Sequence, residues 1–147
     1  MPIKRDASLI PLSHDHHHAL VRVFEIRRAL QTNGDIEAEA SRTRAFFTND
    51  LSPHFRAEEE ALLPALERYL GAADPMVIRL TEDHRRLRAA IEQLDAAAAL
   101  SDFADLLESH VRFEERELFQ RYQEHTPEEA RRSVERGILR ILGREDD

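Results

Sequence analysis

The sequence contains no cysteine, and it has only four glycines among 147 residues. The absence of cysteine excludes disulfide bonds, thiolate metal sites, iron–sulfur clusters and cysteine nucleophiles, and it fits a reducing compartment. Basic residues are outnumbered as well, because 21 Lys and Arg stand against 29 Asp and Glu, which gives a formal net charge of −8. Binding to nucleic acid needs a basic face, so we expect no nucleic-acid partner.

Long apolar runs are also missing. No segment approaches the length of a membrane span, so we expect no membrane partner. Residues 1–18, MPIKRDASLIPLSHDHHH, include two basic residues but no apolar stretch of signal-peptide length. We therefore expect a cytoplasmic location.

The residues that are abundant favour helices. Ala, Leu, Glu and Arg dominate, and no window shows the sustained alternation typical of strands, which predicts an all-α protein. We expect a single domain over residues 1–147, with an up-down-up-down four-helix bundle at about 9–124 and a short extra C-terminal helix at about 127–142. The four long helices are predicted at about 13–30, 36–70, 75–100, and from 101 or 102 to 124.

Prolines, glycines and capping residues set these expected bounds. Gly34 suits the left-handed position that follows a helix. Asp74 and Pro75 form a strong helix start, with the aspartate as the N-cap and the proline in the first turn. Pro53 and Pro64 fall inside the second helix and predict kinks or a short break there.

A helix turns about 100° per residue, so the direction of each side chain around the helix axis can be calculated from its residue number. By this calculation each long helix places one histidine on its apolar stripe. Two of the helices add a glutamate one turn after the histidine. These inward residues are His16, His54, Glu58, His84, His110 and Glu114. His17 lies at the edge of the first stripe as an alternative to His16, and Glu117 lies near the fourth stripe as a further carboxylate.

Two inward glutamates need positive charge nearby, because burying an uncompensated carboxylate costs several kcal/mol. The stripes contain no lysine that supplies this charge, whereas a pair of metal ions can supply it. Imidazole and carboxylate donors suit iron, manganese, zinc or copper better than calcium or magnesium. His54 and Glu58 lie one turn apart, as do His110 and Glu114, so each pair can reach one site.

These residues and their surroundings resemble the hemerythrin-like domain, also called the HHE cation-binding domain, over about residues 9–123. The resemblance is carried by His16, by HFRAEEEALLP with His54 and Glu58, by EDHRRL with His84, and by HVRFEERELF with His110 and Glu114. It implies a four-helix bundle that holds two non-haem iron ions with a bridging oxo or hydroxo group. Glu58 and Glu114 are then the bridging carboxylates, and the four histidines are terminal ligands. Such domains bind or sense oxygen, respond to nitric oxide or peroxide, or handle iron.

Two departures from the oxygen-carrying members bear on function. The carriers have a second ligand histidine one turn after the first on the third helix, where this chain has Arg88. They also commonly use an aspartate bridge late in the fourth helix, where this chain offers Glu114. Both differences disfavour reversible oxygen transport and favour a sensing, iron-handling, peroxide-related or nitric-oxide-related role.

Other functions fit the pattern less well. Ferritin-like di-iron oxidases use Glu-x-x-His, and no histidine here has a glutamate three positions before it. A zinc hydrolase is suggested by HDHHH, but His14 and His18 lie on a polar face. A metal-free helical interaction module remains a further alternative, and a di-iron redox enzyme would use the same six ligands.

Catalysis is not established by the sequence, which shows no nucleophile–base pair and no cofactor loop. We expect a sensor to signal through a protein partner or a homodimer. The C-terminal helix, with Val134, Ile138, Leu139, Ile141 and Leu142, can provide that contact or can pack as a lid on the bundle.

Overall fold

The computed structural model describes residues 4–145. A 3-10 turn, Ala7–Leu9, leads into the first long helix, α1, at Ile10–Gln31. The second long helix consists of α2 (Ile36–Phe46), α3 (Ser52–Ala57) and α4 (Leu63–Tyr69), which are joined by π-helical turns at Phe47–Leu51 and Glu58–Leu62. The third is α5 (Pro75–Ala90), extended by a 3-10 turn at Ile91–Gln93. The fourth joins α6 (Ala97–Phe113) to α7 (Phe119–His125) through a π turn at Glu114–Leu118, and the C-terminal helix is α8 (Glu128–Leu142).

The all-α prediction is confirmed, with four long helices in an up-down-up-down bundle and an extra C-terminal helix. Within residues 4–145 there is no strand, and no helix is long and apolar enough to cross a bilayer. Asp74 caps its helix as the sequence indicates, accepting a hydrogen bond from the backbone N–H of Met76 at 2.9 Å, and Asp35 does the same for the N–H of Ala38 at 3.1 Å.

The prolines of the second helix lie beside π turns and do not break the helix. Pro53 and Pro64 each follow a π turn directly, in the first turn of α3 and of α4. A proline has no N–H to donate to the carbonyl four residues earlier, so a local change of hydrogen-bond register accommodates it inside a continuous helix.

Two expected boundaries are wrong. The third helix does not reach residue 100, because the chain turns at Leu94 and becomes extended at Ala96 before α6 begins at Ala97. The fourth helix therefore starts about four residues before Ser101. After α1 the left-handed residue is Asn33, with φ 55°, and not Gly34. Gly34 instead allows the backbone to pass close to Ala29, since a Cβ at residue 34 would lie 3.1 Å from the carbonyl oxygen of Ala29.

The C-terminal helix packs on the bundle, which was one of its two expected uses. Val134, Gly137 and Ile138 are buried, and a Cβ added to Gly137 would lie 3.0 Å from the Cβ of Ala61 on the second long helix. At the other end of α8, Arg131 pairs with Asp6 at 3.0 Å. The apolar face of α8 is therefore largely covered by its own chain.

A polar layer divides the apolar core into two clusters. One cluster gathers residues such as Leu12, Leu62 and Phe119, and the other gathers Ala19, Phe55 and Leu107. The inward histidines lie where the two clusters meet, since on α1 His16 lies between Leu12 and Ala19.

Candidate metal centre

All six residues that the helix phase turned inward are buried and close together. Their exposed fractions are 4% for His16, 1% for each of His54, His84 and His110, and 0% for Glu58 and Glu114. The histidines come from α1, α3, α5 and α6, and each glutamate begins a π turn. The neighbouring His14, His17 and His18 are exposed, so His16 is the histidine of α1 that enters the core. The HDHHH face that suggested a zinc hydrolase points away from it.

The donor atoms form two groups that share both glutamates. One group contains His16, His54, Glu58 and Glu114, and the other contains Glu58, His84, His110 and Glu114. Within each group one atom of every residue lies within 4.8 Å of the others.

The closest contacts join each glutamate to histidines of different helices. Oε1 of Glu58 lies 2.9 Å from Nε2 of His84, and Oε1 of Glu114 lies 2.9 Å from Nε2 of His16. Nε2 of His54 and of His110 lies 3.4 and 3.2 Å from the glutamate one turn later on its own helix. The Nε2 atoms of all four rings therefore converge on the two carboxylates.

Several of these atoms have no hydrogen-bond partner within residues 4–145. They are Nε2 of His54, Nε2 of His110, Oε2 of Glu58 and Oε2 of Glu114. Buried polar atoms are almost always paired, because an unpaired one keeps its full desolvation penalty. Four unpaired nitrogen and oxygen atoms that converge on one place fit metal coordination, which satisfies such atoms directly.

The outer nitrogen of every imidazole is held by a second carboxylate. Nδ1 of His16 lies 2.7 Å from Glu115, Nδ1 of His54 lies 3.0 Å from Asp15, Nδ1 of His84 lies 2.7 Å from Glu59, and Nδ1 of His110 lies 2.9 Å from Asp83. A carboxylate on Nδ1 fixes the ring orientation and directs the lone pair of Nε2 inward, as is usual for histidines that bind metals. The sequence interpretation missed these four carboxylates.

Each outer carboxylate is in turn paired with an arginine. The pairs are Glu59 with Arg88 at 2.6 Å, Arg144 with Asp15 at 2.8 Å, Arg5 with Glu115 at 3.1 Å, and Arg79 with Asp83 at 3.4 Å. Glu115 also accepts a hydrogen bond from the hydroxyl of Ser13 at 2.7 Å. Because each carboxylate is held by an arginine as well as by a histidine, the ring that it contacts has little freedom to turn.

Glu59 and Glu114 keep their negative charge in this buried setting. Burial raises the pKa of Glu59, but His84 and Arg88 outweigh it and lower that pKa to about 2. Burial also opposes ionisation of Glu114, yet His110, Glu58 and His16 hold its pKa well below the ordinary value.

The imidazoles respond in the opposite direction. Burial lowers the pKa of His54, but Glu58 and Asp15 outweigh it and raise the pKa to about 10. Glu114 and Asp83 do the same for His110. The interior therefore favours positive charge beside its carboxylates, which protons supply in the metal-free chain and cations can supply instead.

Stacked aromatic rings cover two of the imidazoles. Phe55 lies over His84 with ring centroids 3.9 Å apart, and Phe119 lies over His16 at 5.5 Å. Phe55 and Phe119 are themselves fully buried. The centre is thus enclosed by apolar groups above and below its polar layer.

Glu117 does not serve as a further carboxylate, because it is exposed, and Glu115 faces the centre instead. The cause is the π turn at Glu114–Leu118, which takes more residues per turn than an α-helix. A residue three positions after Glu114 therefore does not return to the same face. Isolated π turns inside α-helices occur frequently at functional sites.

A family model described as the hemerythrin HHE cation-binding domain matches residues 8–122. No curated protein and no solved structure matches the chain.

Proposed function

The chain belongs to the hemerythrin HHE cation-binding domain family, and on that premise we propose that it is a non-haem di-iron protein that senses oxygen, nitric oxide or peroxide, or handles iron. In this proposal Glu58 and Glu114 would contribute to the binding of both ions, because each belongs to both donor groups. His16 and His54 complete the ligands of one ion, and His84 and His110 complete those of the other.

One observation carries the proposal: two four-residue donor groups, fully buried, share both of their carboxylates. A metal-free interaction module gives no reason to bury two glutamates side by side whose Oε2 atoms lack partners. Two cations between the carboxylates would neutralise them and coordinate the unpaired donors. The mixed nitrogen and oxygen donor set suits iron, and the family match gives cations as its ligand class.

The roles of the protein groups follow from their contacts. The outer carboxylates orient the four imidazoles, and the buried phenylalanines exclude bulk water from the ring faces. Bound iron would supply a redox-active centre that can interact with a diatomic gas or peroxide. The arginines hold the outer carboxylates in place and contribute no donor to an ion.

Arg88 supports a sensing or iron-handling role over oxygen transport. Its guanidinium forms a bidentate ion pair with the carboxylate of Glu59, with nitrogen–oxygen distances of 2.6 and 2.9 Å. The same carboxylate contacts Nδ1 of His84. The position that provides a second histidine in the carriers therefore provides an anchor for the first one here. The second donor group has two histidines, and it gains no third from this turn of α5.

Anaerobic reconstitution with ferrous iron tests the proposal. We expect two iron ions per chain by elemental analysis, followed by rapid oxidation on exposure to air that is recorded by optical spectroscopy. Failure to retain iron would refute the proposal and leave the metal-free module. Reversible oxygen binding would instead indicate a carrier, and sustained consumption of added peroxide would indicate an enzyme.

A further inference from the structure

An enclosed cavity of about 130 Å³ lies beside the proposed ligands His16 and His54. Its wall also includes Asp15 and His18 of α1, Asp50 of the first π turn, and Arg144, which follows α8. Carboxylate and imidazole groups therefore share the lining of this space with the apolar Ala19, Phe46 and Leu51, from the surface of the protein to two of the residues that would bind metal.

His18 and Asp50 mark the outer end of this cavity. Both side chains are exposed, and both also line a groove on the surface that includes Glu25. The groove also includes Arg22, which pairs with Glu25 at 2.9 Å. A cation there meets the carboxylate of Asp50 and the imidazole of His18, which are donors that attract divalent metal ions. Asp15 comes next, and one of its oxygens lies 3.0 Å from Nδ1 of His54.

Arg144 lies across this path. Its guanidinium donates a hydrogen bond to Oδ1 of Asp15 at 2.8 Å, while Oδ2 of the same aspartate contacts His54. The positive charge opposes the entry of a second cation and occupies an oxygen that the cation would otherwise meet. Arg144 is 46% exposed and follows Gly143, whose left-handed φ of 69° ends α8, so the contact can open without disturbing the bundle.

The opposite side of the centre is closed by packing. Phe55 is fully buried and stacks on His84 at 3.9 Å, and the guanidinium of Arg88 lies 5.5 Å from the centre of the Phe55 ring. An ion that approached His84 would have to displace this ring. The cavity beside His54 offers a polar path that requires only one partly exposed ion pair to open.

We propose that this cavity is the route by which divalent metal ions enter and leave the centre, with His18 and Asp50 as a capture site and the Arg144–Asp15 ion pair as its closure. The inference rests on the proposed metal-binding function. It adds a transient cation site and a closing residue that lies outside residues 8–122, the part matched by the family model. The closure thus belongs to the C-terminal part of this chain.

Metal exchange kinetics test the route in the full chain. The protein is loaded anaerobically with ferrous iron, and iron release to a chromogenic chelator is followed by absorbance, with uptake measured in the reverse experiment. We expect Arg144→Gln to accelerate both rates by about twofold to fivefold, the effect of opening one partly exposed ion pair. The doubly substituted variant His18→Asn with Asp50→Asn should slow uptake by a similar factor. All variants should still hold two irons at saturation.

Arg132→Gln is the matched control, because it removes the same charge from an exposed position of α8 that pairs with Glu128. Its rates should equal those of the parent. Unchanged rates in Arg144→Gln would overturn the closure, and unchanged uptake in the double variant would overturn the capture site. A reduced iron content in Arg144→Gln at saturation would also overturn the proposal, since it would show that Asp15 cannot hold His54 without this ion pair and that faster exchange reflects a damaged site instead of an opened route. If the parent itself retains no iron, the proposed function fails before any rate is measured.

Discussion

Replacing one shared glutamate should remove both metal ions, whereas replacing a histidine should remove one. Glu58 belongs to both donor groups, and His84 belongs to only one of them. Glu58→Gln keeps the shape of the side chain but loses the charge that lets a carboxylate bridge two cations. His84→Gln leaves the group of His16 and His54 complete.

The size of the effect follows from binding linkage. An ion present at one hundred times its dissociation constant stabilises the folded state by about 2.7 kcal/mol, so two independent ions contribute about 5.4 kcal/mol. In a chain of this length each kcal/mol raises the melting temperature by about 2–4 °C. Metal should therefore raise the melting temperature of the parent by about 11–22 °C, of His84→Gln by about half as much, and of Glu58→Gln by close to zero.

Calorimetry with and without metal measures this increment, and elemental analysis after dialysis counts the ions. Each protein is compared with its own metal-free form, so the effect of the substitution on the stability of the metal-free fold cancels. His17→Gln is the control, because His17 is exposed beside His16 and should keep two ions. A Glu58→Gln protein that retains two ions and the full increment would show that the carboxylate is not shared.

Three further substitutions probe the surroundings of the centre. Glu59→Gln removes the group that orients His84 and should weaken binding of one ion by about 10–100-fold in chelator competition, with two ions still bound at saturation. Asp6→Ala removes the cap of the first turn and the pair with Arg131, and it should cost about 1–2 kcal/mol at pH 7 in urea denaturation. Burial opposes ionisation of Asp6, but Ser8 and Arg131 outweigh it and lower the pKa of this carboxyl. The stabilisation is therefore present above about pH 4, and the difference in stability between the parent and Asp6→Ala should shrink as the pH falls through the lowered pKa. A difference that stays constant with pH would contradict the assignment. Gly137→Leu places a side chain where a Cβ alone lies 3.0 Å from Ala61, and it should cost about 1–3 kcal/mol, while Ser133→Leu on the exposed face of α8 should cost little.

Helix phase located the inward histidines of α1, α5 and α6 because these segments are uninterrupted α-helix, whereas His54 lies just beyond the π turn at Phe47–Leu51. His16 and His84 lie within α1 and α5, and each His-x-x-x-Glu pair ends just where a π turn begins. Beyond Glu58 the phase argument fails. A constant 100° per residue carried on from His54 and Glu58 places Ala65 and Tyr69 on the inward face, but the structure buries Leu66 fully and the other two only partly. One π turn shifts by about one residue the positions whose side chains face the core, and the composition of EEEAL does not predict this turn.

Features that depend on contacts between helices were harder to predict. The break at Leu94–Ala96 lies beside a run of alanines that favours helix, and no glycine or proline marks it, so packing of the fully buried Leu94 decides the turn. The outer carboxylates were missed for the same reason, since their partners lie on other helices. A signal was present in the dipeptides Asp15-His16 and Asp83-His84, which occur in matching positions.

These matching dipeptides belong to a twofold pattern that runs through the site. Each half of the bundle contributes an Asp-His pair on its first helix and a His-x-Arg-x-Glu-Glu-x-x-Leu segment on its second, at 54–62 and at 110–118. The histidine of each second helix is held by the aspartate of its own half, as His54 is by Asp15. The histidine of each first helix instead contacts the glutamates of the other half, as His16 contacts Glu114 and Glu115.

Neither half can therefore complete a donor group by itself. His16 and His54 come from the first half and need Glu114 of the second, while His84 and His110 come from the second half and need Glu58 of the first. Cations bound at these groups would lie across the interface between the halves and would offset the repulsion between their carboxylates. The binding free energy of the ions then also stabilises the docking of the two helix pairs. Metal content and the packing of the bundle are therefore coupled, because both depend on the donor groups that join the two halves.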